Sequence, residues 1–279
     1  RMIQNVGCHY VIDIDIKSFF DNVNHGKLLK QMWTLGIRDK KLLSIISAML
    51  KAEVAGIGFP EKGTPQGGII SPLLSNIVLN ELDWWIASQW EQMPTKTKFK
   101  TRNNAQGTEI KSHAYRALRR SRLKEMHAVR YADDFKIFCA SHEDAVRAYK
   151  ATELWLKDRL GLEISPDKSK VVNLKRQYSD FLGFKLKVRK KGKKYVVRSH
   201  MSDKAYKKAH DKVSEEVKEL AHSSDDNAQF MQLQKYNSVV AGLHEYYCIS
   251  TEVSHDFSRL AFSINKQLRN RLKGDLSKK

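Results

Sequence analysis

A chain of 279 residues with 41% hydrophobic side chains is long enough to bury one large core and a smaller second one. Fifty Lys and Arg against 31 Asp and Glu leave a formal charge of +19, which points to a polyanionic partner; no terminal helix combines a Trp/Leu face with a Lys face, so nucleic acid is favoured over a lipid surface. Cys8, Cys139 and Cys248 are few and far apart, fitting neither a disulfide framework nor a zinc site, and no apolar run is long enough to span a membrane, so the expected setting is reducing and cytoplasmic.

In chain order, "CHYVIDIDI" (8–16) alternates as a strand, with Val11, Asp13 and Asp15 on one side and Ile12, Ile14 and Ile16 on the other. One side reads as core and the other as an acidic face. Because this strand opens so close to Arg1, with no signal peptide ahead of it, the sequence reads as a piece of a longer protein. From Asn24 to Leu50 the Leu, Ile and Met spacing predicts two helices broken near Gly36. "GIGFPEKGTPQGG" (56–68) is a loop of five glycines and two prolines, and Ser71-Pro72 reads as an N-cap and first-turn proline for a long amphipathic helix carrying Leu74, Val78, Leu82, Trp85 and Ile86.

Residues 96–124 hold ten Lys or Arg and one acid, Glu109, and read as a surface segment. "MHAVRYADDFKIFCA" (126–140) predicts a β-hairpin with Asp133 and Asp134 at its tip, followed by an amphipathic helix over 143–160. Residues 179–200 read as strand, turn at Gly192, strand, with Phe184, Leu186 and Val188 on one side and Lys185, Lys187 and Arg189 on the other. From about residue 202 the pattern is wholly helical, broken by "SSDDN" (223–227). The predicted domains are therefore 1–201 and 202–279. The ten histidines have no metal-ligand spacing, and His25 reads as structural.

Asp15 on the first strand and Asp133 and Asp134 on the hairpin lie more than a hundred residues apart in sequence. If the strands pair, the three carboxylates converge where hard divalent cations would bind through oxygen, and two such ions suit in-line phosphoryl displacement. An Asp-Asp pair is also ordinary turn chemistry, and spacing alone goes no further.

The ordered segments "DIDIKSFFDNVNH" (13–25), "GTPQGGIISPLLSNIVLNELD" (63–83), "YADD" (131–134), "GLEISPDKSKVV" (161–172) and "FLGF" (181–184) resemble the successive palm motifs of reverse transcriptases. With "YNSVVAGLHEYY" (236–247) resembling a thumb, or maturase X, signature, nearly the whole chain is similar to group II intron reverse transcriptase/maturases. The resemblance implies an α+β fold: a right-hand polymerase palm with an antiparallel sheet backed by helices, then an all-α thumb, with only a remnant of fingers.

The resemblance also implies roles. Asp15, Asp133 and Asp134, with Ile16, would hold two Mg²⁺ ions, or Mn²⁺ in their place; Asp13 stays a polar neighbour. Phe20 would lie under the incoming sugar and exclude a 2′-hydroxyl, while Phe19 faces the core. Ile16, Gln66 and Gly67 would contact the nucleotide, and Lys168 would approach the triphosphate as a general acid, an ordinary surface lysine being the alternative. Phe181, Leu182, Gly183, Lys185, Lys187 and Arg189 would hold primer and template. The expected partners are RNA template, intron RNA, DNA primer and deoxynucleoside triphosphates, with robust synthesis requiring fingers in addition. The basic segment 96–124 matches an insertion expected to bind template or intron RNA, and Tyr236, Tyr246 and Tyr247 are expected in the core of a duplex-clasping thumb. A non-catalytic maturase that only holds intron RNA, and a defence-linked reverse transcriptase, remain the alternatives.

Overall fold

The computed structural model describes residues 3, 6–54, 58–64, 68–100, 102–107 and 109–272. They form two compact units, 1–173 and 174–279.

The first unit is built on a four-stranded antiparallel sheet, β1 (Tyr10–Ile14), β2 (Met126–Tyr131), β3 (Asp134–Cys139) and β4 (Lys170–Asn173), in the order β2-β3-β1-β4. A short α1 (Phe19–Asn22) follows β1, then α2 (His25–Thr34) and α3 (Lys40–Leu50), capped by the side chains of Asn24 and Asp39. The long α4 (Ser71–Gln89) and α6 (His142–Trp155) back the sheet, and a short α5 (Ser112–Arg119) lies within the basic segment. Leu156–Leu160 extend α6 by one π-helical turn, ended by Gly161 in the left-handed region at φ +69°.

Three details depart from the sequence reading. Val11 is as buried as Ile12 and Ile14, so β1 is covered on both faces along most of its length and its acid side is confined to Asp13 and Asp15. Ser71 is the first residue of α4 and buried, with Ile70 at the cap position: a turn from Gly68 O to Ser71 N starts the helix one residue earlier than the Ser-Pro signal suggests. The strand β4 was not anticipated; its Lys-Val-Val-Asn run is too short to show a period.

The second unit pairs β5 (Ser179–Phe181), β6 (Phe184–Lys191) and β7 (Lys194–Met201) in an antiparallel sheet, followed by α7 (Asp203–Ala221), α8 (Asp226–Tyr247) and α9 (Val253–Arg271). The change to helix at 202 is where the sequence put it. The compact units nevertheless divide earlier, after residue 173. The reason is that β5, β6 and β7 hydrogen-bond among themselves, and Phe184 and Met201 share a core with Ala209 and Tyr247. Val213 and Val217 of α7 meet Leu260 and Ile264 of α9 in a second apolar cluster, against which Tyr236 packs.

Two polar groups inside the first unit carry energetic weight. Lys136 is 3% exposed and its Nζ lies 2.6 Å from Asp13 Oδ1 across the β1–β3 ladder. His127, 4% exposed, sits between Glu91 (Nδ1 to Oε1, 2.6 Å) and Glu125 (Nε2 to Oε1, 3.1 Å), with Arg119 clamping Glu125 through its Nε. Burial works to lower the His127 pKa, but the two carboxylates outweigh it and raise the imidazole above its ordinary 6.5.

Removing one partner of a buried pair strands the other charge. Lys136→Met should therefore cost about 3 kcal/mol in urea unfolding, and the double variant Asp13→Leu, Lys136→Met should recover most of it; equal stability of the single variant and the parent would reject the pair as a structural tie. A histidine with a raised folded pKa adds stability that is complete below its unfolded pKa and fades as pH rises through the folded one. The parent should thus lose Tm on going above pH 6.5, and His127→Gln should remove that slope; a slope unchanged in the variant would place the titrating group elsewhere.

Candidate functional site

The antiparallel register pairs Asp13 with Lys136 and Ile14 with Phe135. Continued by one residue, it sets Asp15 opposite Asp134, with Asp133 at the turn. The three acids found by sequence thus meet at one end of the sheet. Asp134 is exposed as a residue, yet its carboxyl is held above the ordinary carboxylate range. Loss of water acts first, and the nearby Lys136 does not cancel the negative charges of Asp13, Asp133 and Asp15. Asp134 thus lies within electrostatic reach of three other carboxylates, the one buried lysine is already committed to Asp13, and Asp15, Asp133 and Asp134 offer oxygen donors of the class a hard cation takes.

Each acid is held by its own local structure. Asp15 N–H donates to Ser169 Oγ at 3.0 Å, and Ser165 N–H donates to Asp15 O at 2.8 Å. With Lys17 N–H donating to Glu163 O at 2.8 Å, Ile16 and Ile164 form an isolated bridge whose bonds run through their neighbours. In an antiparallel pair that pattern turns the N–H and C=O of the central residue to the opposite side. The Ile16 side chain is buried, and the bridge pattern turns its backbone N–H and C=O away from Ile164. Lys168 Nζ lies 3.5 Å from Asp15 Oδ2, both side chains being well exposed, so this contact is solvent-screened.

The hairpin tip is a two-residue turn, Ala132-Asp133, between the paired Tyr131 and Asp134. Ala132 has φ +53°, a left-handed conformation that costs a residue with a Cβ about 1 kcal/mol or more. Arg130 holds it there. Its Nη1 donates to Ala132 O at 2.7 Å and to Asn76 Oδ1 at 2.8 Å, while Nε and Nη2 grip both oxygens of Asp83 on α4 at 2.8 and 2.5 Å. The sequence reading missed Arg130. A fork-shaped cation on a strand leading straight into the Asp-Asp pair was the available signal.

Phe19 is buried in the main core, as expected, and Phe20 lies half-buried with its ring edge-on to Phe19 at 5.3 Å. The start of the glycine loop is stitched beneath it. Thr64 N–H donates to Phe20 O at 2.6 Å, Gly63 N–H to Val23 O at 2.7 Å, and buried His25 donates from Nε2 to Gly63 O at 2.6 Å. His25 is therefore structural, in line with the sequence reading. Gly63 has φ +99°, and a Cβ there would come within 3.0 Å of Phe20 O. Its glycine requirement is met inside the chain. Gln66 and Gly67 lie outside the described residues.

In the second unit "FLGF" forms a tight turn with Leu182 at φ +50° and Gly183 at φ +79°, the pair of positive values that a type I′ hairpin demands. Tyr246 Oη donates to Leu182 O at 3.0 Å, Ser202 N–H donates to Gly183 O at 2.8 Å, and Phe184 stacks on Tyr246 at 5.7 Å. Tyr247 is in the core and Tyr236 packs against it, whereas Tyr246 is 54% exposed and supports the turn instead. Of the three basic side chains, Lys185 pairs with Asp203 at 2.6 Å and, with Lys187, lies over the Tyr178 ring; Arg189 is exposed and has no ion pair among the described residues. Phe181 pairs with Phe184 across the turn.

Residues 2–186 match the family described as reverse transcriptase (RNA-dependent DNA polymerase). Curated relatives include the group II intron-encoded protein LtrA of Lactococcus lactis subsp. cremoris, 28% identical over 98% of this chain and 54% of its own length, and protein YkfC of Escherichia coli K12, 31% identical over 66% of this chain and 48% of its own. The putative COX1/OXI3 intron 2 protein of Saccharomyces cerevisiae is 29% identical over 70% of this chain and 27% of its own length, so the chain spans about half, or less, of these relatives. Among solved structures it is similar to apo telomerase from Candida tropicalis, with TM-score 0.48 and 10% identity over 94% of this chain and 46% of that one. No helix of the described residues is long and apolar enough to cross a membrane. With the family matched over most of its length and the motif acids gathered at one sheet end, the chain belongs to the reverse transcriptase (RNA-dependent DNA polymerase) family.

Proposed function

We propose that this chain performs RNA-templated DNA synthesis, joining a deoxynucleoside triphosphate to the 3′-hydroxyl of a DNA primer. The observation that carries the reading is the convergence of Asp15, Asp133 and Asp134, expressed in the raised Asp134 carboxyl. Asp15 and Asp133 are the main metal ligands, Asp134 a further one, and Ile16 contributes through its backbone carbonyl. Mg²⁺, as a pair of ions or with Mn²⁺ replacing it, would supply neutralisation of charge on the attacking and leaving oxygens.

The remaining roles belong to the chain itself. The Phe20 ring, edge-on to Phe19 and with its own carbonyl bonded by Thr64 N–H, is assigned to exclude a ribose 2′-hydroxyl. Lys168, exposed beside Asp15, is free to swing to the triphosphate and to donate a proton to departing pyrophosphate. Gln66 and Gly67 are assigned to the nucleotide by their place in the motif. Phe181, Leu182, Gly183 and Arg189 are assigned to the primer, with Lys185 and Lys187 supplying positive field from their seats around Tyr178.

A second reading concerns RNA holding without chemistry. Lys96, Lys98, Lys100, Arg102, Arg116, Arg120 and Arg122 are exposed and make no ion pair among the described residues, which suits phosphate contact by the insertion in a maturase role. The two readings are compatible and separable.

Asp133→Ala should abolish primer extension on an RNA template in Mg²⁺ while leaving RNA affinity within about twofold; undiminished extension would reject the metal assignment. Arg130→Lys keeps the charge but loses the fork that fixes the hairpin tip. It should lower kcat by about a hundredfold through misplacement of the acids, with little change in template affinity. Wild-type turnover in that variant would show that the tip needs no brace.

A further inference from the structure

A cavity of about 450 Å³ in the first unit contains none of the acids or nucleotide-contacting residues above. Its walls come from α2, α4 and the end of α6, and include Gln31, Glu81, Trp84, Trp85, Trp155 and Arg159. Trp85 and Trp155 are stacked at 5.4 Å and 22°. Trp84, by contrast, is 60% exposed on a helix whose other large apolar side chains are mostly buried. The π-helical turn adds one residue per turn to the end of α6, a distortion found most often at functional positions, and both Trp155 and Arg159 flank or belong to it.

Two charged groups of this cavity are uncommitted. Glu81 and Arg159 make no ion pair among the described residues, with each other or with any other group. Gln31, by contrast, is 8% exposed and its amide nitrogen donates to Val78 O at 3.3 Å. The cavity thus offers the exposed Trp84 indole for a planar ring, a carboxylate for hydrogen-bond donors, and a guanidinium for an anion.

We propose that this cavity binds one unpaired guanine nucleotide. Guanine is the base whose N1–H and N2–H₂ present adjacent donors that one carboxylate can accept together, which assigns Glu81 to its edge. The exposed Trp84 face takes the ring, and Arg159 meets the phosphate. A cationic peptide side chain would use the indoles and Glu81 but would face repulsion from Arg159, so a nucleotide uses more of what is present.

The cavity holds three of the five tryptophans of the chain, so intrinsic fluorescence reads it directly. GMP, AMP, CMP and UMP should be titrated separately, together with a short oligouridine bearing a single central guanosine. GMP should quench at the lowest concentration. Trp84→Ala, an exposed position that spares the core, should weaken GMP about tenfold or more, and Glu81→Gln should erase the preference for guanine. Asp133→Asn should leave GMP binding unchanged, separating this cavity from the polymerisation site. Quenching by the oligonucleotide at or below the GMP concentration assigns the base to RNA, and quenching by GMP alone assigns a free nucleotide. The proposal is overturned if all four nucleotides bind equally, if GMP affinity survives Trp84→Ala, if it is lost in Asp133→Asn, or if an oligoarginine peptide quenches where GMP does not.

Discussion

The alignment of β1 against β3 is the constraint on which the acidic end of this sheet rests. Side chains alternate between sheet faces, so a slip of one residue would send Asp15 to the side now occupied by Ile14 and Ile16. Apolar packing alone resists such a slip weakly here, because Val11 and Ile12 are both buried and either face of β1 is acceptable to the core over that stretch. The buried Asp13–Lys136 pair resolves the ambiguity, since only one register joins the two charges. Asp13, to which the resemblance gives no essential role, thereby fixes the register that places Asp15 at the end of the sheet.

The second feature is the concentration of like charge. Asp13, Asp133 and Asp15 lie close enough to Asp134 to help hold its carboxyl above the ordinary range, in a protein whose overall charge is strongly positive. Two devices keep the arrangement folded without dispersing it: Lys136 neutralises the innermost acid from inside the sheet, and Arg130 ties the outermost loop to α4 through Asp83 and Asn76. Neither cation hydrogen-bonds the outer carboxylates of Asp133 and Asp134.

Much of this was legible in the sequence because the signals were local. Alternation gave β1, the YADD hairpin gave β2 and β3, and helical spacing gave α2, α3, α4 and the helical region after 202 with its break at 223–227, though not the second break between Tyr247 and Val253. What escaped were relationships between distant segments. Nothing near Ser165 or Ser169 says that their side chain or backbone will clamp Asp15, and nothing near Arg130 names Asp83, 47 residues away, as its partner. The β4 strand escaped for lack of length, and the early division at 173 because it is set by which strands share hydrogen bonds, a property of pairing that composition does not carry. Similarly, Gly63 signals a close approach, but only the fold reveals that the approach is to the backbone of Phe20 and Asp21.

Ala132 at the hairpin tip has a wider meaning. Glycine would occupy that left-handed conformation without strain but would also wander from it, adding disorder at the point where the acids are presented. The methyl group narrows the choices, and the guanidinium fork of Arg130 selects the strained one. Under the proposed function, a cation arriving at this turn would meet ligands already in place, and little of its binding free energy would be spent on ordering the loop. Rigidity of this kind trades a small folding cost, incurred once, for a saving each time the turn is used.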